Sequence, residues 1–193
     1  MNQKTKQVLW IVLIANAAMF VVETVGGHAA RSLALQADAL DFAGDAATYG
    51  VTLWAVGRSQ TMRTRAALIK SAAMLGMGLL ILGIAVGKLL SPETPVAEPM
   101  GVIGALALAV NVGAVIMLLG FREADANLRS AWLCSRNDAV GNVLVILAAA
   151  ATAATASPWP DFAVGVIMSL LFVSGSWAVY RQARHESAAF AAR

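Results

Sequence analysis

Two short stretches carry side chains whose types and spacing suit a cation. In Leu40-Asp41-Phe42-Ala43-Gly44-Asp45-Ala46 two carboxylates stand four residues apart, and Asp38 precedes them by three. At about 100° per residue on a helix, Asp41 and Asp45 are roughly 40° apart and Asp38 lies within about 60° of both. Leu133-Cys134-Ser135-Arg136-Asn137-Asp138-Ala139 repeats the pattern with a thiol and a carboxylate four apart, and Asn142 continues that face one turn on. Zinc takes four ligands from Cys, His and carboxylate. Asp41, Asp45, Cys134 and Asp138 make such a set, with Asp38, Asn137 and Asn142 placed behind it to orient the ligands. An empty cluster of anions repels itself and holds protons until a cation arrives. Metal entry then expels protons, and protons arriving from the other side expel metal.

The elements that carry these stretches are apolar. Of the 193 residues, 59% are hydrophobic and 13% charged, with a mean hydropathy of +0.71. A soluble domain carries about 25% charged residues, so the composition points to a bilayer. Six apolar runs, at about 7–27, 32–56, 67–90, 98–120, 129–155 and 162–181, are long enough to cross roughly 30 Å of hydrocarbon as helices. Gly26-Gly27 is expected to close the first, Ser91-Pro92 follows the third, and Ser157-Pro158-Trp159-Pro160 separates the last two. The first run lacks the boundary of a cleaved signal peptide. The expected fold is an all-α membrane protein with six transmembrane helices, residues 1–193 forming one domain with no soluble domain.

Orientation follows from Lys and Arg. Lys4, Lys6, Arg58, Arg63, Arg65, Lys70, Arg122, Arg129, Arg181, Arg184 and Arg193 fall on one side, against Arg31 and Lys88 on the other. N- and C-termini are therefore both expected in the cytoplasm, with Glu93, Glu98 and the turn around Trp159 outside. The basic residues lie between apolar runs and not in a patch, so nucleic acid is excluded as a partner. Cys134 is the one cysteine and has no disulfide partner.

Each carboxylate at the centre of a membrane helix costs about 2.5–3.5 kcal/mol on insertion scales. Asp38, Asp41 and Asp45 on one otherwise apolar rod therefore mark a site. The second and fifth spans run in opposite directions yet share a Leu, ligand, three residues, Asp, Ala pattern, each after an Arg-Ser pair, Arg31-Ser32 and Arg129-Ser130. An inverted similarity with polar groups at mid-membrane is a feature of alternating-access carriers.

Asn16 to Glu23 with Gly26, and then Ser32 to Asp45, resemble the opening of the cation diffusion facilitator family. Asn127 to Asp138 resembles that family's second signature. The resemblance covers all six spans. It implies a proton-coupled exporter of divalent cations, usually dimeric, with its site between the second and fifth helices. Asp41 and Asp45 match the first ligand pair, and Cys134 and Asp138 the second. Many members have His in place of Cys134, and His or Asp in place of Asp41. A thiolate tilts preference toward zinc, cadmium or another thiophilic ion over manganese. Many members also carry a cytoplasmic metal-binding domain after the sixth span, whereas this sequence stops at Arg193, which implies a short form held as a homodimer by membrane helices. The loop from Gly57 to Arg65 lacks the His and Asp of a peripheral site found in some relatives.

The expected function is export of zinc, with cadmium or cobalt as further substrates, in exchange for protons. No prosthetic group is implied; the expected setting is the lipid of a bacterial inner membrane. A non-transporting membrane subunit or metal sensor is the alternative. An intramembrane aspartyl protease, with Asp45 and Asp138 as its pair, gives no role to Asp41 or Cys134, so the chain is expected not to be an enzyme. An organic solute carrier lacks a visible polar pocket. Glu23 and Asn16 share a face of the first span and are expected to bond between helices. Arg136 is expected to snorkel away from Asp138, His28 and His185 to be solvated at the membrane edges, and Met74, Met77, Met117 and Met168 to face lipid or fill packing space.

Overall fold

In the computed structural model the backbone is described for residues 3–54, 59–120 and 126–191. Arg58, Arg122 and Arg193 of the charge count lie outside these, as does part of the Gly57–Arg65 loop. The side chains of Arg63, of His185 and of 127–131 in the second signature also lie outside the described set. Among the described residues six helices follow one another: α1 (Gln3–Ala29), α2 (Leu33–Trp54), α3 (Gln60–Leu90), α4 (Ala97–Leu119), α5 (Ala126–Thr155) and α6 (Trp159–Ala191). The described residues hold no strand. Five helices are long and apolar enough to cross a membrane. The exception is α2, whose Asp38, Asp41 and Asp45 break its apolar run.

The glycine pair does not close α1. The helix continues through Gly26 and Gly27 to Ala29, and the chain turns at Arg31, whose φ of 54° is left-handed. The amides of Ala30 and Ser32 donate back to the carbonyls of Gly26 (2.7 Å) and Gly27 (2.9 Å), which satisfies the last turn. Gly27 matters for packing instead. A Cβ there would fall 3.1 Å from the Gln36 amide nitrogen and from Leu35 Cβ, so its absence lets α1 close on α2. Helix α6 starts earlier than its apolar run, at Trp159. Pro160 sits in the first turn, where its missing N–H costs nothing.

One end of the bundle gathers the end of α1, the start of α2, the end of α3, the start of α4, the end of α5 and the start of α6. The Val96 amide donates to Ala30 O (2.9 Å), Lys88 Nζ donates to Arg31 O, Arg31 pairs with Glu93 (3.3 Å), and Thr94 donates to Ala156 O (3.5 Å). Consecutive helices therefore alternate in direction, and the start of α1 and the end of α6 share the opposite end.

Helix α1 packs along α2, α3 along α6 and α4 along α5, while α2 touches every other helix. That central place makes three aspartates tolerable in an apolar solvent, because protein and not lipid surrounds α2. The core is built from Leu33, Ala34, Leu35, Ala37 and Leu40 of α2 against Ile81, Ala85, Val145, Ala148, Met168 and Phe172. Ile14, Val25, Ile69, Leu80, Leu90, Val102 and Ile116 point outward, an apolar exterior suited to lipid.

Candidate metal centre

The N-terminus of α2 is fixed by a residue from the far end of the sequence. Asp161, in the first turn of α6, accepts from Ser32 Oγ (2.5 Å) and from the amides of Leu33 (2.8 Å) and Ala34 (3.0 Å). Ser32 Oγ in turn accepts from the Leu35 amide (3.0 Å). The orphan donors of the first turn are thus satisfied by a carboxylate at the positive end of the helix dipole. The two helices meet at Gly165, where a Cβ would lie 2.7 Å from the Leu33 carbonyl carbon and 2.9 Å from the Ala34 nitrogen.

Farther along α2 the packing opens into a cavity of about 540 Å³ between α2, α3, α5 and α6. Asp41, Asp45, Cys134 and Asp138 all line it, as does Asn137. These residues come together because α2 and α5 lie side by side with their four-residue pairs facing the same void. Asp45 is buried, Asp41 and Asp138 are half-buried, and Cys134 and Asn137 are exposed. Tyr49 fixes Asp45 from one turn away: its hydroxyl donates to Asp45 Oδ2 (3.1 Å) and stands 3.2 Å from Ser135 Oγ, which ties the acid to α5.

Asp38 and Asn142, expected behind the ligands, do not line the cavity. Both are fully buried and bond to each other, Asn142 Nδ2 donating to Asp38 Oδ2 (2.6 Å), with Asn111 Nδ2 donating to Asn142 Oδ1 (2.9 Å). The three aspartates of α2 thus do not share one environment: Asp38 is only about 20° around the helix from Asp45 but roughly 10 Å nearer the capped end, where α1 and α5 cover it. Asn137 accepts from Arg136 Nη2 (3.5 Å), and Arg136 stacks 5.4 Å over the Trp132 ring. Asn16 does not bridge helices; its amide folds back onto Val12 O (2.8 Å). His28 is exposed, as expected.

Several lining residues were not legible as site residues. Lys70 of α3 reaches the cavity and donates to Thr48, and Ser71 and Ser176 add hydroxyls. Met74 and Met168 line the void, and Met168 is part of the core with Met74 packed against it, as the packing alternative expects. A lysine near the end of an apolar run reads as an orientation signal, and only the packing of α3 across α2 turns it inward. Among the described residues no three Cys, His, Asp or Glu side chains are close enough together to hold a metal ion. The acids and the thiol ring the cavity and do not converge at a point.

An integral membrane protein of alternating helices around an acid-lined cavity is the class that fold and site define. Residues 9–186 match the family described as the cation efflux transmembrane domain, and the chain belongs to that family. It is 30% identical over 191 residues to the zinc transporter ZitB of Yersinia pestis, a match covering 92% of this chain and 61% of that protein. It is 26% identical over 185 residues to the metal cation efflux system protein CzcD of Cupriavidus metallidurans, covering 90% and 58%. It is 27% identical over 194 residues to a cadmium, cobalt and zinc/H(+)-K(+) antiporter of Bacillus velezensis, covering 93% and 62%. The chain spans about three fifths of the length of these curated relatives.

Proposed function

We propose that this chain moves a divalent transition-metal cation, zinc foremost and cadmium or cobalt as further substrates, out of the cytoplasm in exchange for protons. The observation that carries the reading is the cavity lined at once by Asp41, Asp45, Cys134 and Asp138. Membership of the cation efflux family supports it, as do relatives named for zinc, cadmium and cobalt. In this reading all six helices cross a bacterial inner membrane, both termini face the cytoplasm, and the chain works as a homodimer. The cavity lies toward the end that carries Lys70 and the later turns of α6, so it opens to the cytoplasm, while Asp161 and Gly165 hold the outer end shut.

An ion entering from the cytoplasm reaches the level of Cys134 and Asp45 first, and that of Asp41 and Asp138, one turn farther in, last. Gripping it requires α2 and α5 to draw their pairs together, because the four groups ring the void and do not meet. That approach is the step that can close the inner side before the outer side opens. Every ligand must be deprotonated to bind, so protons compete with metal and apparent affinity falls as pH falls. Zinc flux into everted vesicles or liposomes holding the purified protein tests the reading. Asp45→Ala is expected to abolish flux while the protein still accumulates in the membrane, and wild-type affinity is expected to weaken with acid. Normal flux in that variant, or a flat pH profile, would overturn it.

A further inference from the structure

A second acidic pair lies outside the cavity. Glu23 of α1 and Asp38 of α2 are both 0% exposed. Neither Glu23 oxygen has a hydrogen-bond donor, and neither does Asp38 Oδ1. Yet the two carboxyls are close enough for their oxygens to bond to one another. Two acceptor-only groups in such contact repel; a single proton between them converts the repulsion into a strong hydrogen bond. We propose that Glu23 and Asp38 share one proton, with Glu23 as the acid and Asp38 as the acceptor, and that this proton leaves when a dication occupies the cavity.

The neighbouring amides set the assignment. Asn142 Nδ2 donates to Asp38 Oδ2, while Asn142 Oδ1 accepts from Asn111 Nδ2. Asp38 is therefore stabilised as the charged partner. Its second oxygen, Oδ1, is the acceptor left open, and a hydroxyl on Glu23 fills it. One proton then satisfies two of the three orphaned oxygens of the pair.

Asp38 also reaches the edge of the cavity. Gly141 lines the void, and a Cβ built on it would lie 4.0 Å from Asp38 Oδ1. The wall between the pair and the cavity is therefore thinnest at this glycine. The charged groups acting on the pair are acids, Asp41 from α2 and Asp138 from α5. From α4 the pair meets the neutral Asn111, through Asn142. Lys70 of α3 acts on Asp45 and Cys134 instead. With acids around it the pair keeps its proton. A dication among Asp41, Asp45 and Asp138 reverses the sign of the local field and makes the second negative charge bearable. The release part of the proposal rests on the transport reading; the shared proton does not.

Glu23→Gln and Asp38→Asn test both parts. In the first the amide donates to a charged Asp38, and in the second Asn142 holds the new carbonyl so that the new amide donates to a charged Glu23. Each variant keeps one negative charge on the pair and removes its proton. Purified metal-free protein is examined by infrared spectroscopy for the carbonyl stretch of a buried carboxylic acid. Protons released per zinc ion bound are then counted in weak buffer. Each variant is expected to lose one acid band and to release about one proton fewer per zinc, while still binding zinc at neutral pH. An unchanged acid band in both variants overturns the shared proton, and an unchanged proton count overturns its release. Should Glu23→Gln fail to fold, Asp38→Asn decides alone. Wild-type protein that binds no zinc sinks the transport reading and the release with it, while the infrared band still decides whether the pair holds a proton.

Discussion

The two halves of α2 are built to opposite specifications. In the first, Leu33, Ala34 and Leu35 have no exposure, the end is capped by Asp161 and the backbone of α6 presses on it at Gly165. In the second, Asp41, Asp45 and Thr48 face a void of about 540 Å³. The contrast teaches how one helix can serve as an anchor and still leave room at a site: the face carrying Asp41, Asp45 and Thr48 opens on the void, while Phe42 and Tyr49 on the other face stay packed.

The comparison can be broken at its anchored end. Asp161→Ala removes three hydrogen bonds and leaves the Leu33 and Ala34 amides buried without partners, which costs about 3–5 kcal/mol. A clear fall in the thermal midpoint of the purified protein is expected, and wild-type stability would show that this end is not an anchor. The open half can be sharpened with Cys134→His. The thiol is exposed at the cavity, so the substitution should leave the fold intact. A softer ligand favours cadmium over zinc, so the histidine is expected to lower the cadmium-to-zinc transport ratio, and an unmoved ratio would take Cys134 out of the ligand set. The smallest effect is expected from Glu93→Gln. It breaks an ion pair with Arg31 in which both side chains are more than half exposed, 63% and 59%, and such pairs contribute about 0.5 kcal/mol or less. A larger loss would mean that the loop, and not Asp161, holds the outer end.

The helices were legible in the sequence because an apolar run of about 20 residues in a chain this poor in charge has few other fates. The pairing of α2 with α5 was legible too, since two four-residue acidic or thiol pairs in apolar helices have little reason to exist apart. What could not be read was which helix covers which face. Periodicity reports the side of a helix, not its neighbour. Asp161 falls just outside the sixth apolar run, where nothing in the sequence singles it out, yet its partners are the Ser32–Ala34 turn. Asp38 seemed to belong with Asp41 and Asp45, until packing turned it toward Glu23 and Asn142. Lys70, Met74 and Met168 became cavity residues only through the crossing of α3 and α6 over α2.

The cap on α2 has a consequence for how the chain is made. A ribosome delivers residues 33 and 34 long before it delivers residue 161, and in hydrocarbon an unbonded amide is costly. During that interval the second helix carries both its aspartates and its bare first turn without their final partners. The first two helices therefore do not make a finished hairpin by themselves; the second stays uncapped until α6 emerges and Asp161 reaches its first turn. A nascent chain released before residue 161 would hold its second segment poorly, and membrane quality control would see it.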